Sequence, residues 1–119
     1  MDRKAFGKKG EEKAVRYLAG KGYDILARNY LKRSGEIDLI ARDPASDEIV
    51  FAEVKTRHNR AFGYPEEAVD EAKIEKIIET AEQWLTEKNQ EDRDWRIDII
   101  SIEWDNGEAL VQHFENISL

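Results

Sequence analysis

Cysteine is absent from this 119-residue sequence, and proline and histidine occur only twice each. Without cysteine the chain forms neither disulfides nor thiolate metal sites, and His58 and His113 do not have the spacing of a zinc site. No apolar run is long enough to span a membrane, the N-terminal segment lacks the apolar core of a signal peptide, and no phosphate-binding glycine motif is present. We therefore expect a cytoplasmic protein with no membrane partner.

The length and charge of the chain set further bounds. A chain of 119 residues can bury a core but is too small for two domains, so we expect one domain over residues 1–119. The net charge of −7 argues at first against a nucleic-acid partner. Residues 1–60, however, contain 14 Lys and Arg against 10 Asp and Glu, whereas residues 61–119 contain 5 against 16. This asymmetry can indicate a polyanion-binding face on an acidic protein.

Hydrophobic periodicity predicts two helices and five strands. The helices are expected at residues 5–21 and 66–88, and the strands at 23–31, at two segments within 35–57, and at 95–104 and 108–116. Asn106-Gly107 is a favoured pair for the turn between the last two strands. The order αβββαββ predicts an α/β fold in which helices flank a mixed sheet.

The segment 35–57 is the most informative part of the chain, because charged residues interrupt its two apolar strands. If the turn between the strands sets Asp43 opposite Glu48, the same register sets Asp38 opposite Glu53, with Cβ atoms ~5 Å apart. Side chains alternate along a strand, so Lys55 lies on the same face as Glu53. A shift of one residue in the register would separate these groups.

These charges have two interpretations. They could line a solvated face of the sheet, as in many antiparallel strands. Phe51 and Ile49 share the face of Glu53, however, which indicates partial burial, and two opposed carboxylates destabilise a sheet unless something neutralises them. A hard divalent cation with oxygen ligands, Mg²⁺ or Mn²⁺, is suited to that task, so we interpret Asp38, Glu53 and Lys55 as a site.

Other charged residues have structural alternatives. Glu11 lies near the buried edge of the first helix, where it is equally well explained as an acid that favours the helix dipole. Lys73 interrupts the apolar stripe of the second helix, and beside a carboxylate pair we expect it to reach the acids rather than extend to solvent. Arg96 and Asp98 are interpreted as a salt-bridged pair.

Two segments contain candidate nucleic-acid contacts. In the loop after Lys55, Arg57 and Arg60 could contact phosphates and Tyr64 could stack on a base, although a solvated surface loop explains these residues as well. Lys32 and Arg33, in the turn before the central hairpin, are further candidates.

A set of residues that extends over nearly the whole chain resembles a known family. Its members are Gly10-Glu11-x-x-Ala14, Gly22-Tyr23, Arg28-Asn29, Gly35-Glu36-Ile37-Asp38-Leu39-Ile40-Ala41, Val50-Phe51-x-Glu53-Val54-Lys55-x-Arg57, Gly63-x-Pro65, Lys73 and Arg96-x-Asp98. As an ordered set it closely resembles the bacterial YraN-like family. That family looks like a member of the PD-(D/E)XK nuclease superfamily, with a layout similar to archaeal Holliday junction resolvases.

The resemblance implies a fold and an activity. The fold is a restriction-endonuclease-like three-layer sandwich, and the activity is metal-dependent hydrolysis of phosphodiester bonds in DNA, branched or junction DNA included. By position the catalytic set is Asp38, Glu53 and Lys55; Glu11 stands where resolvases have an additional acid, and Lys73 where many superfamily members have Lys or Gln. Asp38, Glu53 and the Val54 carbonyl would bind Mg²⁺ or Mn²⁺.

Two departures and two alternatives accompany the resemblance. Asp38 follows Ile37 rather than a proline, and the C-terminal half is more acidic than is typical of a DNA-binding nuclease. One alternative function is a nucleic-acid-binding or adaptor module that keeps the fold without cutting. The other is a domain that only binds proteins through its acidic helix, which predicts no salt-dependent binding to DNA. Resolvases of this layout act as dimers, so a homodimer is a further expectation.

Overall fold

The computed structural model of the chain describes residues 2–58 and 70–117. It contains, in chain order, α1 (Arg3–Gly20), β1 (Asp24–Lys32), β2 (Gly35–Arg42), β3 (Ile49–Arg57), α2 (Glu71–Glu87), β4 (Trp95–Asp105) and β5 (Glu108–Phe114). The predicted order αβββαββ and the α/β class are confirmed. Neither helix of the described part is long and apolar enough to cross a membrane.

The five strands form one mixed sheet in the order β1-β2-β3-β4-β5. Neighbouring strands are antiparallel except β3 and β4, which are parallel. A parallel pair needs a crossover connection, and α2 lies in the connection between β3 and β4. Asn106 and Gly107 both have positive φ angles, of 51° and 80°, as the tight turn between β4 and β5 requires.

A separate apolar core lies on each side of the sheet. Ile74, Ile77 and Trp84 of α2 pack with Phe51 and Ile99, whereas α1 packs on the opposite face against a second set of buried residues. The second set comprises Ala14, Leu18, Tyr23, Leu39, Ala41, Val50, Ala52, Ile100 and Ile102. The molecule is thus a three-layer sandwich of helix, sheet and helix.

Capping side chains fix where the helices begin. The Asp2 side chain accepts a hydrogen bond from Ala5 N (2.8 Å), and the Asp70 side chain accepts one from Lys73 N (2.9 Å). Asp70 has an extended backbone, and α2 begins at Glu71. The prediction of a continuous helix from residue 66 is therefore wrong. Residues 66–69 lie outside the described part of the chain.

A buried ion network at one end of the sheet is larger than the predicted pair of Arg96 and Asp98. The Arg96 guanidinium lies 2.8 Å from Asp43, 2.9 Å from Glu48 and 3.0 Å from Asp98, and its side chain is 6% exposed. Its Nη2 atom also donates to the Tyr23 hydroxyl at 3.1 Å. Arg96 therefore joins β4 to the β2–β3 turn and to the residue that precedes β1.

Candidate active site

Asp38 lies where β2 and β3 separate. The two strands pair from Arg42 with Ile49 to Leu39 with Ala52, which confirms the predicted register, and the next pair in that register would be Asp38 and Glu53. Beyond this point a side chain replaces the backbone as the hydrogen-bond acceptor: Asp38 Oδ2 accepts a hydrogen bond from Val54 N at 2.8 Å. The side chain of Asp38 thus fills the gap between the strands, within reach of groups on both faces of the sheet.

Glu53 is buried on the α2 face of the sheet, beyond Phe51, and is 6% exposed. Burial, followed by the charge of Asp38, raises the pKa of Glu53 to about 8, although Lys73 and Lys55 act in the opposite direction. Burial and the adjacent Lys73 lower the pKa of Lys55 to about 8. Asp38, Glu53, Lys55 and Lys73 therefore meet at one place, and both the central acid and the central amine have pKa values shifted towards neutrality.

Glu11 approaches Asp38 from the α1 side. Burial and the charge of Asp38 raise the pKa of Glu11, which the Asn29 amide partly offsets. Asn29 has a left-handed backbone, with φ 50°. When its amide is oriented so that the nitrogen faces the two acids, that nitrogen lies 3.2 Å from Glu11 Oε1 and 3.0 Å from Glu36 Oε1. The sequence did not predict this bridge, although Asn adopts a left-handed backbone more often than most residues do.

Close packing of α1 on β3 brings Glu11 to the sheet. Gly10 lies against Thr56, and a Cβ atom at Gly10 would lie only 2.0 Å from Thr56 Oγ1. Only a glycine therefore permits this approach. The gap that remains is a cavity of about 250 Å³ lined by Arg3, Phe6, Gly7, Glu11, Asp38, Val54, Lys55 and Thr56.

The donor set at this place fits a hard divalent cation. Asp38 and Glu53 supply carboxylate oxygens. Burial and the charge of Asp38 raise the pKa of Glu53, and a cation would offset both effects. Val54 N–H points to the Asp38 side of β3, and because N–H and C=O of one residue face the same neighbour in a ladder, the Val54 carbonyl points there too. These three residues could hold Mg²⁺ or Mn²⁺.

A second group of metal-ligating side chains lies on β4 and at the end of β5. Single ligand atoms of Asp98, His113 and Glu115 all lie within 4.8 Å of one another, the one such trio among the described residues. The sequence spacing of His113 did not indicate a metal site, but its Nε2 atom is 2.7 Å from Asp98 Oδ2 because β4 and β5 pair. Arg96 already bonds both carboxylates, so a cation there would have to displace a buried guanidinium. We interpret this trio as part of the ion network.

Three of the residues predicted to contact nucleic acid lie in the described part of the chain. Lys32 lies 2.9 Å from Glu87, in a groove of about 620 Å³ that Glu79 and Glu82 also line. Arg33 is exposed in the turn after β1, and Arg57 is half-buried at the end of β3, two residues beyond Lys55. Arg60 and Tyr64 lie outside the described residues.

The raised pKa of Glu53 predicts a pH-dependent stability in the absence of metal. The folded protein keeps a proton on Glu53 between its ordinary pKa of 4.5 and about 8, whereas the unfolded chain does not. The free energy of unfolding in EDTA should therefore fall as the pH rises through this window, with a slope that approaches about 1.4 kcal/mol per pH unit for one proton. Glu53→Gln should remove that slope, which urea unfolding at pH 5, 6, 7 and 8 would measure.

The control for this measurement is Glu75→Gln, which changes an exposed carboxylate of α2 and should keep the slope. Above pH 8 the lowered pKa of Lys55 acts with the opposite sign, because the unfolded chain then binds the extra proton, so stability should rise again towards pH 10. Parallel curves for the native chain and Glu53→Gln would contradict the assignment.

Comparison with known proteins places these residues in a family. Residues 10–102 match the family described as "Uncharacterised protein family UPF0102". The chain is 48% identical over 96 residues to a UPF0102 protein of Persephonella marina, with 81% of each chain covered. It is 41% identical over 116 residues to one of Sulfurihydrogenibium sp. (98% of this chain, 96% of the relative) and 42% identical over 118 residues to one of Desulforamulus reducens (98% and 95%). The matched region contains Glu11, Asp38, Glu53, Lys55 and Lys73.

Proposed function

The chain belongs to the UPF0102 family, and we propose that it is a metal-dependent nuclease of the PD-(D/E)XK superfamily that hydrolyses phosphodiester bonds in DNA. The observation that carries the proposal is the convergence of Asp38, Glu53 and Lys55 where β2 and β3 separate. A buried acid with a raised pKa beside an amine with a lowered pKa is typical of catalytic sites. Branched DNA is proposed as the substrate class only because the chain resembles junction resolvases.

Each residue has a proposed task. Asp38, Glu53 and the Val54 carbonyl would bind Mg²⁺ or Mn²⁺, which when bound stabilises the negative charge of a phosphodiester under attack. Lys55 would orient or deprotonate the attacking water, or stabilise charge that builds on the phosphate. Burial, followed by Lys73, lowers the pKa of Lys55, and Lys73 also offsets the charge of Glu53. Glu11 would hold a water molecule on the α1 side of Asp38.

Cleavage assays with Asp38→Asn test this proposal. We expect the native chain to cut branched, flapped or linear DNA in Mg²⁺ or Mn²⁺ and not in EDTA. Asp38→Asn should lower the rate by about a thousand-fold or more, because a neutral amide is a poor ligand for a divalent cation. Asn is preferred to Ala because its amide oxygen can still accept the Val54 N–H bond, so the strands keep their spacing.

The control for the assay is Asp24→Asn, which changes an exposed acid of β1 and should cut at the native rate. Equal activity in the native chain and Asp38→Asn would exclude this site as the source of cleavage.

A second candidate is a nucleic-acid-binding or adaptor module that keeps the fold without cutting. Calorimetric titration with Mg²⁺ and Mn²⁺ separates the two functions. The nuclease requires uptake by the native chain and its loss in Glu53→Ala, whereas an adaptor would bind DNA without metal uptake. The retained pair of opposed acids favours the nuclease, because an adaptor gains nothing from the repulsion between them.

A further inference from the structure

The two helices that cover the sheet have opposite charges. Within α1 six residues are Lys or Arg and two are Glu, whereas α2 has two Lys and five Glu. Because the helices pack on opposite faces, one helical layer is cationic and the other is anionic. Within the described ranges, Arg3, Lys4 and Lys8 are exposed and have no carboxylate partner.

The cations at the start of α1 are placed where they oppose helix formation. Arg3 and Lys4 occupy the first turn, which contains no acid, although the helix dipole favours acids there. Lys4 and Lys8 are one turn apart, at the spacing where like charges repel. A local arrangement that works against folding is expected where function demands it.

Gly7 is a second feature of α1 that packing does not explain. A Cβ atom at Gly7 would meet no other atom within 4 Å, in contrast to Gly10. A glycine inside a helix is less favourable than alanine, so its presence here has no benefit for the fold. Gly7 and Arg3 line the same cavity as Asp38. Because Gly7 has no side chain, a ligand in this cavity can approach the backbone of α1.

The opposite side of the molecule is a poor surface for a polyanion. Lys32 is paired with Glu87, and Glu79 and Glu82 line the same groove. A phosphate backbone placed there would meet three carboxylates for one lysine.

We propose that Arg3, Lys4, Gly7 and Lys8, which we name the cationic face, hold the sugar–phosphate backbone of DNA beside Asp38. The cations contact successive phosphates, and Gly7 leaves room for the strand to reach the cavity. This inference rests on the proposed function for its substrate class, but it is a statement about binding that requires no cleavage.

Anisotropy of a labelled four-way DNA junction, measured in EDTA at several salt concentrations, tests the proposal. The triple change Arg3→Gln, Lys4→Gln and Lys8→Gln should weaken binding at least about ten-fold and reduce the slope of log affinity against log salt by about two to three. The matched triple change Lys13→Gln, Arg16→Gln and Lys21→Gln alters the net charge equally at the other end of the helix. It should weaken binding less than about three-fold.

Gly7→Gln provides a test without any change of charge. The larger side chain should stabilise α1 and yet weaken binding about five-fold or more, because it occupies the path of the strand. Gly20→Gln is the control, since Gly20 also has open space around it but lies at the far end of α1. A merely structural role for Gly7 predicts a change in thermal stability with unchanged binding.

The outcomes separate this inference from the proposed function. Equal weakening by both triple changes, or native binding by Gly7→Gln, would overturn the cationic face even if the native chain cuts DNA in Mg²⁺. Loss of binding in the Arg3, Lys4 and Lys8 variant, together with no cleavage by the native chain, would support the cationic face and reject the nuclease. No junction binding by the native chain at low salt would overturn the inference.

Discussion

Replacing Lys55 by methionine is expected to reduce phosphodiester cleavage by about 10²–10⁴-fold while metal uptake is retained. The amine lies beside the Glu53 and Asp38 carboxylates, and burial together with Lys73 lowers its pKa to about 8. An amine in this state can accept a proton from water or donate a hydrogen bond to a phosphate. Methionine fills a similar volume without either ability, and removal of a positive charge should not weaken the hold of the carboxylates on a cation. Single-turnover cleavage and calorimetry on the same preparation measure the two effects.

Two further variants make this result decisive. Glu53→Gln should lose both cleavage and metal uptake, because it removes a ligand rather than an amine. Lys55→Arg keeps the positive charge but cannot lose its proton at accessible pH. Partial activity in Lys55→Arg would assign a charge-stabilising task, and none would assign the task of base. Native cleavage by Lys55→Met, or loss of its metal uptake, would contradict the role given to Lys55.

Replacing Arg96 by methionine is expected to lower the free energy of unfolding by about 3–5 kcal/mol. The guanidinium is the shared partner of Asp43 and Asp98, whose side chains are 10% and 0% exposed. Burial opposes ionisation of both acids, but Ala45 N–H and Arg96 hold the pKa of Asp43 low, and His113 and Arg96 hold the pKa of Asp98 low. Methionine would leave these carboxylates buried without a counter-charge. Urea unfolding at pH 7 measures the loss.

Arg28→Met is the control for Arg96→Met. Arg28 lies 2.6 Å from Glu12, closer than Arg96 lies to Asp43, but both side chains are largely exposed, so the expected loss is below about 1 kcal/mol. If Arg96→Met does not fold, the double change Arg96→Met with Asp98→Asn should recover part of the stability, since it removes one buried charge. Equal losses for Arg28 and Arg96 would show that burial is not what makes the network strong.

The network around Arg96 also determines how the free energy of unfolding changes at low pH. Because the folded pKa values of Asp43 and Asp98 are lowered, their contribution is present above the ordinary value of 3.8 and is lost as the pH falls below it. Glu53 acts with the opposite sign at higher pH, so the metal-free protein should be most stable in a window around pH 4 to 5.

Much of the fold and of the central pair could be predicted because the relevant interactions are local. The turn after Asp43, with Asp43 N bonded to Glu48 O at 3.0 Å, sets the register of β2 and β3, and register alone sets Asp38 opposite Glu53. Alternation of side chains then places Glu53 with Phe51 on one face. These are properties of spacing along the chain, which a sequence displays directly.

Other parts depend on contacts between segments that are distant in the sequence. Asn29, which has a left-handed backbone in β1, meets Glu11 of α1, and Glu11 reaches Asp38 because Gly10 packs on Thr56. Spacing could not show that Lys32 pairs with Glu87, since that depends on where α2 crosses the sheet. Nor could it show that Arg3 and Gly7 line the cavity of Asp38.

The sequence by itself determined the order of elements, the register of the central hairpin and the pairing of its two acids, because turn chemistry and side-chain alternation act over a few residues. Only the tertiary structure decided which helix covers which face, and with it that the cationic helix α1 lies over Asp38 while the acidic helix α2 shields the other side. The reason is that packing energies between distant segments, such as Gly10 against Thr56 or Trp84 against Phe51, leave no periodic signal in the chain.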